Sequence, residues 1–229
     1  MKDTPLRQIR SFVLRSGRTT EAQRKALMEL MPRFGLDFSE RRVDIETVFG
    51  RTARKVLDIG FGDGEALLTE AVNNPGVDYL GVEVHEPGIG HLLLLLEQAG
   101  LTNVRIVQRD VVEVLGSMLP DACLDGVNVY FPDPWPKKRH HKRRLVQPVV
   151  ASEFARVIKA GGTLHLATDW ENYAERMKQV IVDTGAFAEV PAEGITAEAA
   201  LVRPPTKFER RGQRLGHSVW DLIYERIAT

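Results

Sequence analysis

Between Tyr130 and Arg144 the chain reads Tyr-Phe-Pro-Asp-Pro-Trp-Pro-Lys-Lys-Arg-His-His-Lys-Arg-Arg. A short apolar run ends in one carboxylate, Asp133, bracketed by prolines and followed by Trp135. The next eight residues carry six Lys or Arg and two His. An acid at the mouth of a cationic surface suits an enzyme that grips a polyanion by its backbone and works on one uncharged ring within it.

A second constellation precedes it. Gly60, Gly62 and Gly64 follow the apolar stretch Val56-Leu57-Asp58-Ile59. Glycines there let a ligand approach the backbone closely, with a helix N-terminus facing it. A dinucleotide fingerprint needs a third Gly three residues after the second, where this chain has Glu65. Asp58 and Asp63 would repel a pyrophosphate. They suit a ligand with a cationic amino-acid end, such as S-adenosylmethionine. Glu83 can accept hydrogen bonds from ribose hydroxyls, and Asp110 one from an adenine amino group. Each acid alone reads equally well as a cap or surface charge; together they end successive strands.

The elements that must position these residues alternate regularly from Lys55 onward. Strands are expected at 56–59, 78–84, 104–108, 124–131 and 163–168. Helices are expected at 65–72, up to Gly100, at 111–118, at 147–159 with a stop at Gly161-Gly162, and at 171–182. Two strand-like pieces, 186–190 and 218–227, close the chain. This order predicts an α/β fold: a doubly wound, mostly parallel seven-stranded sheet, with ligands bound at the carboxyl ends of its strands. Residues 1–50 read as a basic arm laid over a domain of residues 51–229, with a helix near Glu21 to Met31 ending before Pro32.

The chain has 229 residues, with 31 basic and 31 acidic side chains. Removing the six cations of 137–144 leaves 25 against 31, a balance of −6. Phosphate affinity must therefore be local. Two further basic runs lie at 1–18 and 203–214. The single Cys123 excludes an internal disulfide and reads as a small apolar residue near a strand start. Leu92 to Leu96 falls far short of the roughly 18 apolar residues of a membrane span. The six His show no metal spacing, so no metal is expected. A cytoplasmic protein is the simplest expectation.

The chain resembles the bacterial tRNA (guanine-N7)-methyltransferases. The matching segments are Ile9-Arg10-Ser11-Phe12-Val13, Leu57-Asp58-Ile59-Gly60-Phe61-Gly62, Gly81-Val82-Glu83-Val84-His85, Phe131-Pro132-Asp133-Pro134-Trp135, Lys142-Arg143-Arg144, Thr168-Asp169-Trp170 and Thr206-Lys207-Phe208-Glu209. The resemblance implies a class I S-adenosylmethionine-dependent fold and methyl transfer to N7 of guanine 46 in the tRNA variable loop. It puts cofactor contacts at Asp58, Gly60, Gly62, Glu83, Asp110 and Asp133, with Asp133 also catalytic. Substrate contacts fall on Lys137, Asp169, Thr206, Lys207, Phe208 and Glu209. Arg139, His140, His141, Lys142, Arg143 and Arg144 would face RNA. The family often carries Glu where this chain has Asp58. It includes monomers and homodimers.

Asp133 is expected to accept hydrogen bonds from the guanine Watson–Crick edge, turning N7 toward the methyl. Trp135 reads equally as a base-stacking platform or a packed rim residue, and Asp169 as a guanine contact or a helix N-cap. Rival readings are a methyltransferase acting on another RNA or a small substrate, and a non-enzymatic RNA-binding protein.

Overall fold

The structure is a computed structural model that describes residues 11–12, 18–190, 204, 209 and 218–228. Helix α1 (Glu21–Phe34) opens on a capping box, in which Thr20 accepts from the Gln23 N–H and the Gln23 side chain accepts from the Thr20 N–H. It runs past Pro32, where the sequence predicted a stop. Pro32 costs only the bond to the carbonyl four residues back. The turn beyond it still closes, with the Gly35 N–H donating to the Met31 carbonyl at 2.7 Å. The short α2 (Ile45–Phe49), not foreseen, is capped by Asp44 and closed by Gly50 in the left-handed region.

The wound region then follows: β1 (Arg54–Ile59), α3 (Glu65–Asn73), β2 (Val77–Glu83), α4 (Glu86–Ala99), β3 (Val104–Gln108), and α5 (Val111–Glu113), which widens into a π turn at Val114–Met118. Next come β4 (Leu124–Tyr130), a 3-10 helix at Lys138–Arg143, α6 (Pro148–Val157), β5 (Ile158–Thr168), α7 (Glu171–Val182), β6 (Phe187–Glu189) and β7 (Trp220–Arg226). The expected break at Gly161-Gly162 differs in kind. α6 already ends at Val157, and β5 runs through the glycine pair, with a register shift against β4 between Leu124 and Gly126.

The seven strands are ordered β3-β2-β1-β4-β5-β7-β6, parallel from β3 to β5 and antiparallel at β7 and β6. The central strands are buried on both faces, which is why they read as unbroken apolar runs. Leu57, Val127 and Leu164 face a layer with α6 and α7; Val56, Tyr79 and Ile106 face one with α3 and α4. The segment after α1 pairs with the β3 edge through the Leu36 N–H and the Ile106 carbonyl, and Phe34 is fully buried. Chain direction across the sheet reverses between β1 and β4, so the loops after them diverge and leave a crevice.

Candidate functional site

That crevice holds a cavity of about 310 Å³. Ser11 and Phe12, Gly60 and Gly62, Glu83 to His85, Arg109 to Val111, and Tyr130 to Asp133 supply most of its wall. Gly60, Gly62 and Gly64 have φ of 73°, 61° and 79°, which only glycine adopts cheaply. The loop lies directly on α4. A Cβ at Gly88 would sit 1.9 Å from the Gly62 carbonyl oxygen.

Glu83 is held by the loops around it. One carboxylate oxygen accepts from the Gly62 N–H at 3.0 Å; the other accepts from the N–H groups of Val84 at 2.6 Å and His85 at 3.0 Å. Three of its roughly four acceptor positions are thus in use, leaving about one for a ligand hydroxyl. Asp110 lines the same wall and also caps α5 through the Val112 N–H at 3.0 Å. Asp58 is not on the wall. It lies beneath it, only 3% exposed. Burial, reinforced by the Glu83 charge, pushes its pKa from 3.8 up to about 7. A cation arriving above the pair would favour its ionised form.

Asp133 is exposed at the mouth, on a loop pinned at several points. The Phe131 N–H donates to the Ala167 carbonyl at 2.8 Å, and the Trp135 indole N–H to the Ser11 carbonyl at 3.0 Å. Phe131 and Trp135 have φ of 51° and 46°, so the loop is strained on either side of Asp133. One face of Trp135 is covered by the Arg143 guanidinium, 4.1 Å from the ring centroid, and His140 meets the ring edge-on. In this conformation Trp135 is a packed rim residue.

Arg144 requires a correction. The basic run placed it facing RNA, yet it is only 3% exposed. Its Nε donates to the Pro134 carbonyl at 2.8 Å, Nη2 donates to Asn172 Oδ1 at 3.0 Å, and the guanidinium stacks 4.7 Å over Tyr173. A charge count cannot see this. The signal was Tyr173 and Asn172, which α7 presents to a planar forked cation. Lys137, Arg139 and Lys142 are exposed, while His140, His141 and Arg143 are half-buried. Burial and the cations at 137, 139, 142 and 143 hold His140 below its usual pKa, so it is neutral at pH 7.

Asp169 lines a separate cleft with Trp170, Asn172 and Trp220. It does not cap α7, whose N-cap is Trp170. Thr206, Lys207 and Phe208 lie outside the described residues; Glu209 is described and half-buried. Of the other basic runs, only Arg18 is a described cation, and it is exposed. Reading the sequence missed Arg109 and Tyr130 as wall residues, although each flanks a predicted strand end. It also missed a chain of contacts across the sheet: the Tyr130 hydroxyl lies 3.2 Å from His165 Nδ1, and His165 Nε2 lies 2.9 Å from Asp221.

Residues 52–222 match a family model described as "Putative methyltransferase". A tRNA (guanine-N(7)-)-methyltransferase of Nitrosococcus oceani is 51% identical over 220 residues, covering 96% of this chain and 92% of that protein. One from Xanthomonas campestris is 54% identical over 221 residues, covering 96% and 84%. The chain belongs to the tRNA (guanine-N7)-methyltransferase family. Among solved structures, the 16S rRNA methyltransferase KamB aligns with a TM-score of 0.56 at 16% identity, covering 82% of this chain and 95% of that one, a likeness of fold. The crevice fits the family's donor, S-adenosylmethionine: acids Glu83 and Asp110 can meet hydroxyl and amino groups, and Ile59, Val82, Val111 and Leu145 give apolar wall for a purine. Among the described residues no group of His, Cys, Asp or Glu could hold a metal, and no helix is long and apolar enough to cross a membrane.

Proposed function

We propose that this protein methylates N7 of guanine 46 in the variable loop of tRNA, in the cytoplasm. The observation that carries the reading is the position of Asp133, on the wall of an acid-lined crevice and at the root of the basic loop. In this reading residues 51–229 form the catalytic domain and residues 1–50 an arm across it.

Guanine N7 has an exposed lone pair and no proton, so attack needs no base. Bound S-adenosylmethionine supplies the electrophilic methyl group. Asp133 accepts from guanine N1–H and N2–H, which fixes the ring, and its charge favours the purine cation as it forms. Positioning and electrostatics then supply most of the rate. Swinging the base out costs a few kcal/mol; phosphate contacts from Lys137, Arg139 and Lys142 offset this. Gly60, Gly62, Glu83 and Asp110 hold the donor, with Asp58 as a buried charge beneath it. Asp169 and the 206–209 segment contribute to the substrate side.

The test is incubation with labelled methyl donor and unmodified tRNA transcript, followed by mapping of the product base. The expected product is N7-methylguanine at position 46, lost in Asp133→Asn while donor binding persists. Label at another guanine would correct the position. No transfer to tRNA, or normal turnover by Asp133→Asn, would overturn the mechanism.

A further inference from the structure

A second cleft, of about 420 Å³, lies between the basic loop and α7. His141, Lys142 and Arg144 line it from the loop, Gln147 from the start of α6, and Asn172, Glu175, Arg176 and Gln179 from α7. Three permanent cations thus face one carboxylate. Among the described residues, none of Lys142, Arg144 and Arg176 forms an ion pair, although Glu175 shares their cleft. Arg144 sharpens the point. Its hydrogen-bond partners are a carbonyl, an amide oxygen and an imidazole nitrogen, with no carboxylate among them. A buried guanidinium without a counter-ion is costly, and a second cation, Arg176, works against it.

We propose that this cleft is a phosphate subsite, taking a backbone phosphate of the RNA whose target base enters the crevice beside Asp133. The proposal rests on the tRNA reading above and extends the docking surface beyond the basic loop onto α7. A phosphate there would compensate Lys142 and Arg176 directly and the buried Arg144 through space. Gln147 and Gln179 each carry an amide with two N–H donors, one of which now goes to the His141 carbonyl and to the Asp183 carboxylate respectively. Glu175 opposes the anion, so the favourable balance rests on Arg176. The arrangement ties RNA docking to the active loop, because Arg144 on the cleft floor also holds the Pro134 carbonyl next to Asp133.

The test compares Arg176→Ala and Arg176→Glu with Lys178→Ala, which removes the same charge from the same helix outside the cleft. Binding of unmodified tRNA is measured by filter binding from 50 to 200 mM salt. Loss of one phosphate contact lowers the salt slope by about one. The expected result is weaker tRNA binding for both Arg176 variants, more so for Glu, a slope reduced by about one for Arg176→Ala, and unchanged donor affinity. Lys178→Ala should keep the wild-type slope. Arg176 variants indistinguishable from Lys178→Ala would overturn the subsite while leaving the tRNA reading intact. Wild-type protein that binds no tRNA would overturn both.

Discussion

Replacing Asp58 by Asn should change how stability depends on pH. In the folded protein the carboxyl has a pKa of about 7, against 3.8 for the unperturbed group. Its folded-state value is raised, so the neutral form is favoured by folding. That contribution is complete below about pH 3.8 and is lost as pH rises through 7. At about 1.36 kcal/mol per pKa unit, the wild type should lose roughly 2 kcal/mol of stability between pH 5.5 and 8.0 relative to Asp58→Asn, in which this titration is absent. Urea melts of both proteins at the two pH values measure the difference, and other titrating groups largely cancel in the comparison. The donor provides a second readout: a cationic ligand that lowers the Asp58 pKa should bind roughly tenfold more weakly at pH 6 than at pH 8, less so in the variant. A stability difference between the two proteins that stays the same at pH 5.5 and 8.0 would refute the argument.

Two further outcomes follow from the packing. Arg144→Lys keeps the charge but loses the fork that holds Pro134 and Asn172, so single-turnover methylation should slow while the salt slope of tRNA binding stays within error of wild type. A normal rate would mean that the Asp133 loop stands without this anchor. Gly88→Ala pushes a methyl group into the Gly62 carbonyl and should cost about 1–3 kcal/mol in a urea melt and weaken donor binding, whereas Gly116→Ala, where a Cβ meets nothing within 4 Å, should do neither.

The wound sheet was legible because parallel strands buried on both faces leave continuous apolar runs, and each ends at a glycine or an acid. The chain-terminal strands at 186–190 and 218–227 are antiparallel and largely exposed or half-buried; their apolar and aromatic residues, not a continuous buried run, made them legible, and they are slightly shortened in the structure. Helix ends were less so. Pro32 falls near the end of α1, where it removes one helical bond without ending the helix, and Gly161-Gly162 signals a break only if the neighbouring strand does not hold it in register. The candidate site was legible as a set of strand-end acids, and less so in its depth. Glu83 and Asp110 reach the crevice wall; Asp58, one residue before the end of β1, points beneath it. Strand alternation alone places consecutive residues on opposite faces, but it does not say which face the ligand occupies.

The basic run shows why composition is a weak guide to role. Lys142, Arg143 and Arg144 are adjacent and alike in charge, yet the structure uses them in three ways. Lys142 is exposed to solvent, Arg143 covers the face of Trp135, and Arg144 turns inward to brace the loop. Lys142 and Arg143 sit on the 3-10 helix, whereas Arg144 lies just past its end, with φ of −57° and ψ of 138°, so the backbone turns there and carries its side chain inward. The bracing is needed because the Asp133 loop carries two non-glycine residues in the left-handed region, each costing on the order of 1–3 kcal/mol. Such strain persists only where surrounding contacts over-determine the backbone, and here they do. Ala167, Arg144 and Ser11 each bind a different point of the loop. In the role proposed for Asp133, meeting two donors on one edge of a base, the carboxylate gains from that rigidity, since freedom in the loop would be paid back as entropy at the moment of binding.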